Sequence, residues 1–221
     1  HSFPTRRSSD LTTWEWRYVL KYLKECNNIL DVGCGLGDFI ENDPKRIKGI
    51  EINDKNVQVC LKKGLDVKQG DALNITFPDN SFDGVFCGHV IQIFDYKGAI
   101  KLLSELRRVV KPGGVIVITT FPDHKRLYFT PETFRAYPPH TIRHLIKDHS
   151  KKRGPSTFAE YINMRQEAIK LRRPALYEFE GPKSEFCDKL AHFTNLLQHK
   201  FLLRKYWSYN GYIIKIRNSS K

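Results

Sequence analysis

Residues 29–39, ILDVGCGLGDF, combine an acid with glycines at a spacing suited to binding a ligand through the backbone. An apolar run leads into one acid and three glycines at alternate positions, Asp31, Gly33, Gly35 and Gly37. The run is typical of a buried parallel strand, and a glycine turn after it lets the backbone approach a ligand closely. The dinucleotide fingerprint G-x-G-x-x-G does not fit, because its third glycine would fall on Asp38 or Ile40. The spacing that fits is D-x-G-x-G-x-G.

Two further acids follow at the ends of later predicted strands. Glu51 lies 18 residues after Gly33, where a carboxylate can accept hydrogen bonds from both hydroxyls of a ribose. Asp71 lies in the sequence QGDA at 69–72, directly after a short predicted strand. Two more pieces come in order along the chain, SFDGVFCGHV at 81–90 and RVVKPGGVIVI at 108–118. Strands and helices alternate between the pieces, which favours one ligand-binding edge of a parallel sheet.

In order and spacing these pieces resemble the motifs of the class I S-adenosylmethionine (SAM)-dependent methyltransferases of the type 11 group, over residues 28–120. The resemblance implies a Rossmann-like fold and SAM as cofactor, and it says almost nothing of the substrate. It implies that the first motif lies near the methionine moiety and Glu51 at the ribose, with Asp71 and Ala72 at the adenine. Gly88 and His89 would lie beside the reactive end. The predicted cofactor-binding residues are therefore Asp31, Gly33, Gly35, Gly37, Glu51, Asp71, Ala72, Gly88 and His89.

Each of these motifs alone also has a structural explanation. The glycines alone are compatible with a tight strand-to-helix turn that binds nothing. Asp31 alone is compatible with a helix cap, and Asp71 alone with an Asx turn. Glu51 alone is typical of a solvated strand end. Only their occurrence together and in this order favours a cofactor site.

No residue is singled out as the catalytic base. A phenol or an amine acceptor often needs such a base, whereas a carboxylate does not. The candidates are His89, in the loop after the fourth predicted strand, and His124, after the fifth. Many relatives have a second histidine four residues after His89, where this chain has Ile93. The same loop lacks the Asp/Asn-Pro-Pro-aromatic signature of enzymes that methylate the amino groups of bases or glutamine.

The composition argues against a membrane or disulfide-stapled protein. No apolar run approaches the roughly 18 residues of a membrane span. The 5 cysteines are odd in number, scattered and without a C-x-x-C pair. This pattern argues against a disulfide framework or a zinc site, and it predicts a cytoplasmic protein without a bound metal.

The chain alternates predicted strands with predicted helices. The strands are expected at 28–32, 47–52, 66–69, 83–87 and 114–120, and the helices at 36–42, 54–63 and 97–110. This alternation predicts an α/β fold with a mostly parallel sheet and helices on both faces. The family resemblance implies seven strands with an inserted antiparallel last strand, and Asn210-Gly211 is a hairpin signal before it. A capping box from Thr12 to Glu15 predicts the start of an N-terminal helix that covers the cofactor.

Residues 121–182 are predicted to be a helical insertion after the fifth strand. Two helices are expected in it, at 130–138 and 157–173. Ligands of this fold bind at the carboxyl ends of the strands, so the insertion is predicted to be a substrate lid. The chain has a net charge of +13, and residues 124–177 hold 12 Lys and Arg against 4 Asp and Glu. The lid is therefore expected to be basic.

The first eleven residues differ in kind from the rest. Residues 1–11, HSFPTRRSSDL, resemble the translation of a short-read sequencing adapter. They are excluded from the fold as an artefact, which leaves 12–221 as a single predicted domain.

The leading hypothesis is a SAM-dependent methyltransferase with a small acceptor, which the basic lid predicts to be anionic. One alternative is an RNA methyltransferase whose lid binds phosphates. Its phosphate-binding residues would be Lys151, Lys152, Arg153, Arg172 and Arg173. Another alternative is a SAM-binding module without catalysis. A basic segment is also typical of a solvated surface, and the oligomeric state is left open.

Overall fold

The computed structural model describes residues 9–120, 135–146, 164–172 and 211–218. Its α-helices are α1 (Ser9–Tyr22), α2 (Asp54–Lys62), α3 (Tyr96–Val109) and α4 (Pro139–Ile146). Its strands are β1 (Ile29–Val32), β2 (Ile47–Glu51), β3 (Val67–Gln69), β4 (Phe82–Gly88), β5 (Val110–Thr120), β6 (Met164–Arg172) and β7 (Gly211–Asn218). Single turns of 3-10 helix lie at Ile40–Asn42 and Ile91–Ile93.

The strands form one sheet in the order β3-β2-β1-β4-β5-β7-β6. Strands β1 to β5 pair in parallel, and β7 is antiparallel to both β5 and β6. The prediction of a seven-stranded, mostly parallel sheet with an inserted antiparallel last strand is confirmed. The strand order reverses between β1 and β4, with β2 and β3 on one side and β5 on the other. Open α/β sheets bind ligands outside the carboxyl ends of the strands at such a reversal.

Helices cover both faces of the sheet. Side chains along a strand point alternately to the two faces. Ile29 of β1 belongs to the apolar cluster that also contains Val19 of α1 and Val57 of α2. Leu30, the next residue, belongs to the cluster with side chains of α3 and α4. Because both faces are buried, the central strands read as continuous apolar runs in the sequence.

The helix predicted at 36–42 is wrong, and the chain makes only the 3-10 turn there. Gly37 has a φ of +83°, which is incompatible with a right-handed helix. Pro44 disfavours a helical conformation of Asp43. The few residues between these two points leave no room for a regular α-helix before β2. The helices predicted at 54–63 and 97–110 are observed as α2 and α3.

The helix predicted at 157–173 is wrong over residues 164–172, which form the edge strand β6. The register between β6 and β7 shifts between Gln166 and Ala168. At this irregularity Glu167 accepts two hydrogen bonds from Arg217, at 2.6 and 3.0 Å. The shift interrupts the two-residue period of an ordinary strand, which is why the sequence did not indicate one.

Two smaller predictions also need correction. Helix α1 begins at Ser9, so Thr12 and Glu15 lie inside it and the predicted capping box is wrong. Pro139 begins α4 and residues 135–138 have no regular structure, so the prolines precede a helix instead of ending one. The remaining predictions for the lid, His124 and the partner of the 210–211 turn lie outside the described residues. None of the described helices is long and apolar enough to cross a membrane.

Candidate functional site

The glycine loop after β1 lies at the carboxyl edge of the sheet, where the strand order reverses. The N–H groups of Gly33 and Cys34 both donate to the carbonyl of Ile50, at 2.9 and 3.1 Å, which holds the loop against β2. Gly33, Gly35 and Gly37 have φ values of +73°, +57° and +83°, a region that favours glycine. A Cβ atom at Gly35 would meet nothing within 4 Å. The loop therefore presents backbone to open space at Gly35.

Glu51 fastens this loop to the end of β2. One carboxylate oxygen accepts a hydrogen bond from the N–H of Gly35 at 2.8 Å, and the other accepts one from Asn53 at 2.9 Å. The side chain is buried, so these bonds fix its orientation. A carboxylate has about four lone-pair sites. The two oxygens thus retain capacity for further donors, such as a pair of neighbouring hydroxyl groups.

Asp31 is a buried acid at the end of β1, with neighbours Gly49 of β2 and Phe86 of β4 across the sheet. Burial, and to a smaller extent the charge of Glu51, raise its pKa to about 8. Burial and the charge of Asp31 also raise the pKa of the Cys34 thiol, which therefore stays protonated and packs as an apolar group. A cation bound near Asp31 would favour its ionised form.

The residues predicted at the adenine lie in a turn after β3. The Asp71 carboxylate accepts a hydrogen bond from the N–H of Leu73 at 2.8 Å, and its carbonyl accepts one from Asn74 at 3.0 Å. These bonds form an Asx turn, which the sequence had offered as a purely structural explanation of Asp71. The turn uses one of the two carboxylate oxygens. Asp71 is exposed and Ala72 is buried. A backbone hydrogen bond joins this turn to β2: the N–H of residue 70 donates to the backbone carbonyl of Glu51 at 3.1 Å.

The loop after β4 joins three elements of the fold. His89 has a φ of +58°, and its N–H donates to the carbonyl of Thr119 on β5 at 2.9 Å. Its Nε2 lies 3.3 Å from Oε1 and 3.4 Å from Oε2 of Glu15 on α1. The Glu15 side chain is only 13% exposed. This contact brings α1 to the loop that contains Gly88 and His89.

Sequence reasoning missed three buried polar residues near this loop. The hydroxyl of Thr120 donates to Oε1 of Gln92 at 2.8 Å. Thr119 is 1% exposed, and its Oγ1 has no hydrogen-bond partner within the part of the chain that the structure describes. The available signal was the change from apolar residues to two threonines at the end of the run 115–120. The role of Glu15 was also missed, because the sequence assigned it to a helix cap.

The structure brings the first motif, Glu51, the turn at Asp71 and the loop at His89 to one edge of the sheet. His124 lies outside the described residues. Among the residues that the structure describes, no group of three or more His, Cys, Asp or Glu side chains is placed to hold a metal ion. The arrangement is that of a site built from backbone amides and carboxylates.

A family model matches the part of the chain that forms most of this edge. Residues 30–118 match the model of a family described as a methyltransferase domain. The match covers 89 of the 221 residues, so this part of the chain is similar to that family. The computed structure of the chain is also similar to the crystal structure of a SAM-dependent methyltransferase from Archaeoglobus fulgidus. The TM-score is 0.66 at 23% identity, over 94% of this chain and 93% of that chain, which is a likeness of fold.

Relatives that match about half of the chain carry names that refer to different acceptors. The fatty-acid O-methyltransferase of Mycolicibacterium smegmatis is 32% identical over 124 residues, which cover 51% of this chain and 42% of that protein. The protein named "Probable tRNA methyltransferase 9B" of Bos taurus is 32% identical over 115 residues, which cover 50% of this chain and 25% of that protein. The chain thus covers less than half the length of each of these relatives.

Proposed function

We propose that the chain is a SAM-dependent methyltransferase whose acceptor binds at the carboxyl edge of the sheet. The observation that carries the proposal is the 2.8 Å hydrogen bond from the N–H of Gly35 to the Glu51 carboxylate. This bond fixes the glycine loop and the acid of β2 together at the carboxyl edge of the sheet, where ligands of this fold bind. The family match of residues 30–118 supports the same function.

The described residues offer SAM acidic groups, free acceptor capacity and open space beside the glycine loop. Its sulfonium and ammonium groups are cationic, and Asp31 is a buried acid whose ionised form a cation would favour. Glu51 retains acceptor capacity for the two ribose hydroxyls. The open space at Gly35 allows the backbone to approach the ligand. By family resemblance, Asp71 and Ala72 are assigned to the adenine, and the loop after β4 to the reactive end.

Bound SAM supplies an activated methyl group, so the difficult chemistry belongs to the cofactor. The chain's own residues contribute position, which can supply roughly 7–11 kcal/mol of the barrier. The hydrogen bond between His89 and Thr119 holds the ends of β4 and β5 together. Because Nε2 of His89 faces Glu15, we assign this histidine to holding α1 and not to proton abstraction.

Calorimetric titration with SAM tests the proposal. We expect the wild type to bind and Gly35→Asp to lose binding, because the new side chain enters the space at the loop. Glu51→Ala should weaken binding at least about tenfold, since a hydrogen bond to a charged group contributes about 1.5–3 kcal/mol. Gly64→Asp is the matched control, because Gly64 also has a positive φ, +75°, and open space around its Cβ position.

Two outcomes would count against this assignment. Equal loss of binding in Gly35→Asp and Gly64→Asp would mean that backbone strain, and not ligand contact, is responsible. A folded wild type that does not bind SAM would contradict the proposed function. Binding without transfer to any tested acceptor would instead favour the SAM-binding module.

The acceptor of the leading proposal is a small molecule whose anionic part would face the basic segment 124–177. An RNA methyltransferase is the second candidate. The same basic segment favours it, and so does the similarity to a protein named as a tRNA methyltransferase. The two candidates share the cofactor site and differ in what the basic segment binds.

A further inference from the structure

Thr119 lies at the end of β5 on the face of the sheet that α1 covers. Side chains alternate along a strand. Val115 and Val117 of β5 belong to the same apolar cluster as Val19 of α1, so Thr119 lies on that face too. Its side chain is 1% exposed, and its Oγ1 has no hydrogen-bond partner in the described part of the chain. A buried hydroxyl without a partner destabilises the fold, so its presence needs an explanation.

The surroundings of this hydroxyl are those of the predicted reactive end. A Cβ atom built on Gly88 would lie 3.5 Å from Oγ1 of Thr119. The carbonyl of Thr119 accepts a hydrogen bond from the N–H of His89. The imidazole of His89 in turn contacts the carboxylate of Glu15 on α1. The hydroxyl therefore lies where α1, β4 and β5 meet. The adjacent Thr120 has its own partner, since its hydroxyl donates to Gln92.

We propose that the Thr119 hydroxyl binds the methyl acceptor and orients its reacting atom, which belongs to a hydroxyl or amine group and not to a carboxylate. This inference rests on the proposed function. A hydroxyl or an amine can form a hydrogen bond with Oγ1. A carboxylate acceptor would instead bring a second negative charge to the loop that Glu15 contacts through His89. Transfer forms the bond between the acceptor oxygen or nitrogen and the methyl carbon. It breaks the methyl–sulfur bond, whose electron pair stays on sulfur, and the acceptor gives its proton to water.

The test compares Thr119→Val, which keeps the shape and removes the hydroxyl, with Thr119→Ser, which keeps the hydroxyl. Three quantities are measured: the thermal unfolding midpoint, the affinity for SAM by calorimetry, and methyl transfer from radiolabelled SAM to a panel of alcohols, phenols, primary amines and fatty carboxylates. We expect Thr119→Val to keep or raise the midpoint and to bind SAM within about twofold of the wild type. Its kcat/KM should fall by about 5- to 150-fold on hydroxyl or amine acceptors, because their polar group loses its partner. Thr119→Ser should restore most of this loss.

Thr120→Val is the matched control, and it should lower the midpoint because Gln92 loses its donor. If Thr119→Val lowers the midpoint equally, the hydroxyl is structural and the inference is overturned. It is also overturned if SAM affinity falls as much as turnover, or if a SAM-binding wild type methylates no hydroxyl or amine of the panel. A folded wild type without SAM binding overturns the proposed function itself, and calorimetry detects this before any acceptor is added.

Discussion

Asp31 has opposite effects on folding and on the proposed cofactor binding. Burial raises its pKa from 3.8 to about 8 in the folded state. The folded state therefore holds this proton more tightly than the unfolded chain. The stability that this proton contributes is fully present below the pKa of Asp31 in the unfolded chain. It is lost as the pH rises through the pKa of Asp31 in the folded state. One pKa unit corresponds to about 1.4 kcal/mol, so even half of this shift costs about 3 kcal/mol at pH 8.

Asp31→Asn should therefore stabilise the protein at alkaline pH while weakening the binding of SAM. Urea unfolding at several pH values measures the effect. We expect a gain of about 3 kcal/mol near pH 8 and a smaller gain near pH 5, because less of the charge cost has accumulated there. Calorimetry on the same variant should show weaker binding of SAM, since the amide offers a cation no charge.

Asp83→Asn is the control with the opposite sign. The Asp83 carboxylate accepts hydrogen bonds from Lys111 at 2.6 Å and from the N–H groups of Asn27 and Asn28 at 3.0 and 3.2 Å. These partners, with Lys111 contributing most, lower its pKa. Its stabilising contribution is present above the unfolded pKa and is lost as the pH falls. Asp83→Asn should thus lower the free energy of unfolding at pH 8. If Asp31→Asn also lowered it, the proposed destabilising effect of the buried Asp31 charge would be refuted.

Among the site residues, those in a local motif were predictable and those in a distant contact were not. The positions of Asp31 and Glu51 at strand ends follow from the apolar runs before them, whereas their assignment to a cofactor comes from the family resemblance. Glu15 and His89 are 74 residues apart, and their contact depends on how α1 packs across the sheet. The surroundings of Thr119 likewise depend on β5 pairing with β4. No local pattern encodes these contacts.

Helix α3 is bound to the segment 75–79 by one arginine. The Arg108 guanidinium donates to the carbonyls of Ile75 and Phe77 at 2.6 and 2.9 Å, and to the carboxylates of Glu105 and Asp79, both at 2.8 Å. Glu105 is buried and also accepts the N–H of Ile75 at 2.9 Å. Since this segment connects the turn after β3 to β4, Arg108 fixes the chain between two predicted parts of the cofactor site.

Arg108→Ala should destabilise the protein by about 2–4 kcal/mol, because it leaves the Glu105 carboxylate buried without its main partner. Urea unfolding measures the change. Lys101→Ala is the control: its ammonium lies 3.7 Å from Glu105 but the side chain is 58% exposed, so the loss should stay within about 1 kcal/mol. Similar losses in the two variants would mean that the Arg108 network adds little.

At the scale of the elements, the buried parallel strands were the most predictable part. Their apolar runs are continuous because both faces are covered, so four of the five lie within two residues of the predicted bounds and β5 begins four residues early. Strand β6 was not predictable. This segment is a strand because it pairs with β7, which is 39 or more residues away along the chain. The register shift at Glu167 also interrupts the alternation of apolar and polar residues by which a strand is recognised in a sequence.

The charge of the whole molecule is divided unevenly. Residues 12–120, which contain the matched domain, hold 15 Lys and Arg against 14 Asp and Glu, whereas 124–177 carry an excess of eight positive charges. The half that contains the predicted cofactor site is thus almost neutral. An excess of positive charge attracts polyanions such as RNA whatever their nucleotide sequence. Such binding does not imply that the protein catalyses a reaction on them. Binding to RNA and methylation of RNA must therefore be measured separately.

We expect the chain to bind RNA at low salt and not to methylate it. Filter binding of an unmodified tRNA transcript over a series of salt concentrations gives the slope of log K against log[salt]. Replacing Lys151, Lys152 and Arg153 by alanine should reduce that slope by about 2, because roughly 0.7 counterions are released per phosphate contact with a single strand. The same variant should bind SAM like the wild type, since the three residues lie outside the matched domain. Transfer of radiolabelled methyl groups to the transcript, abolished in the triple variant, would reverse this expectation and favour the RNA methyltransferase over an enzyme for small acceptors.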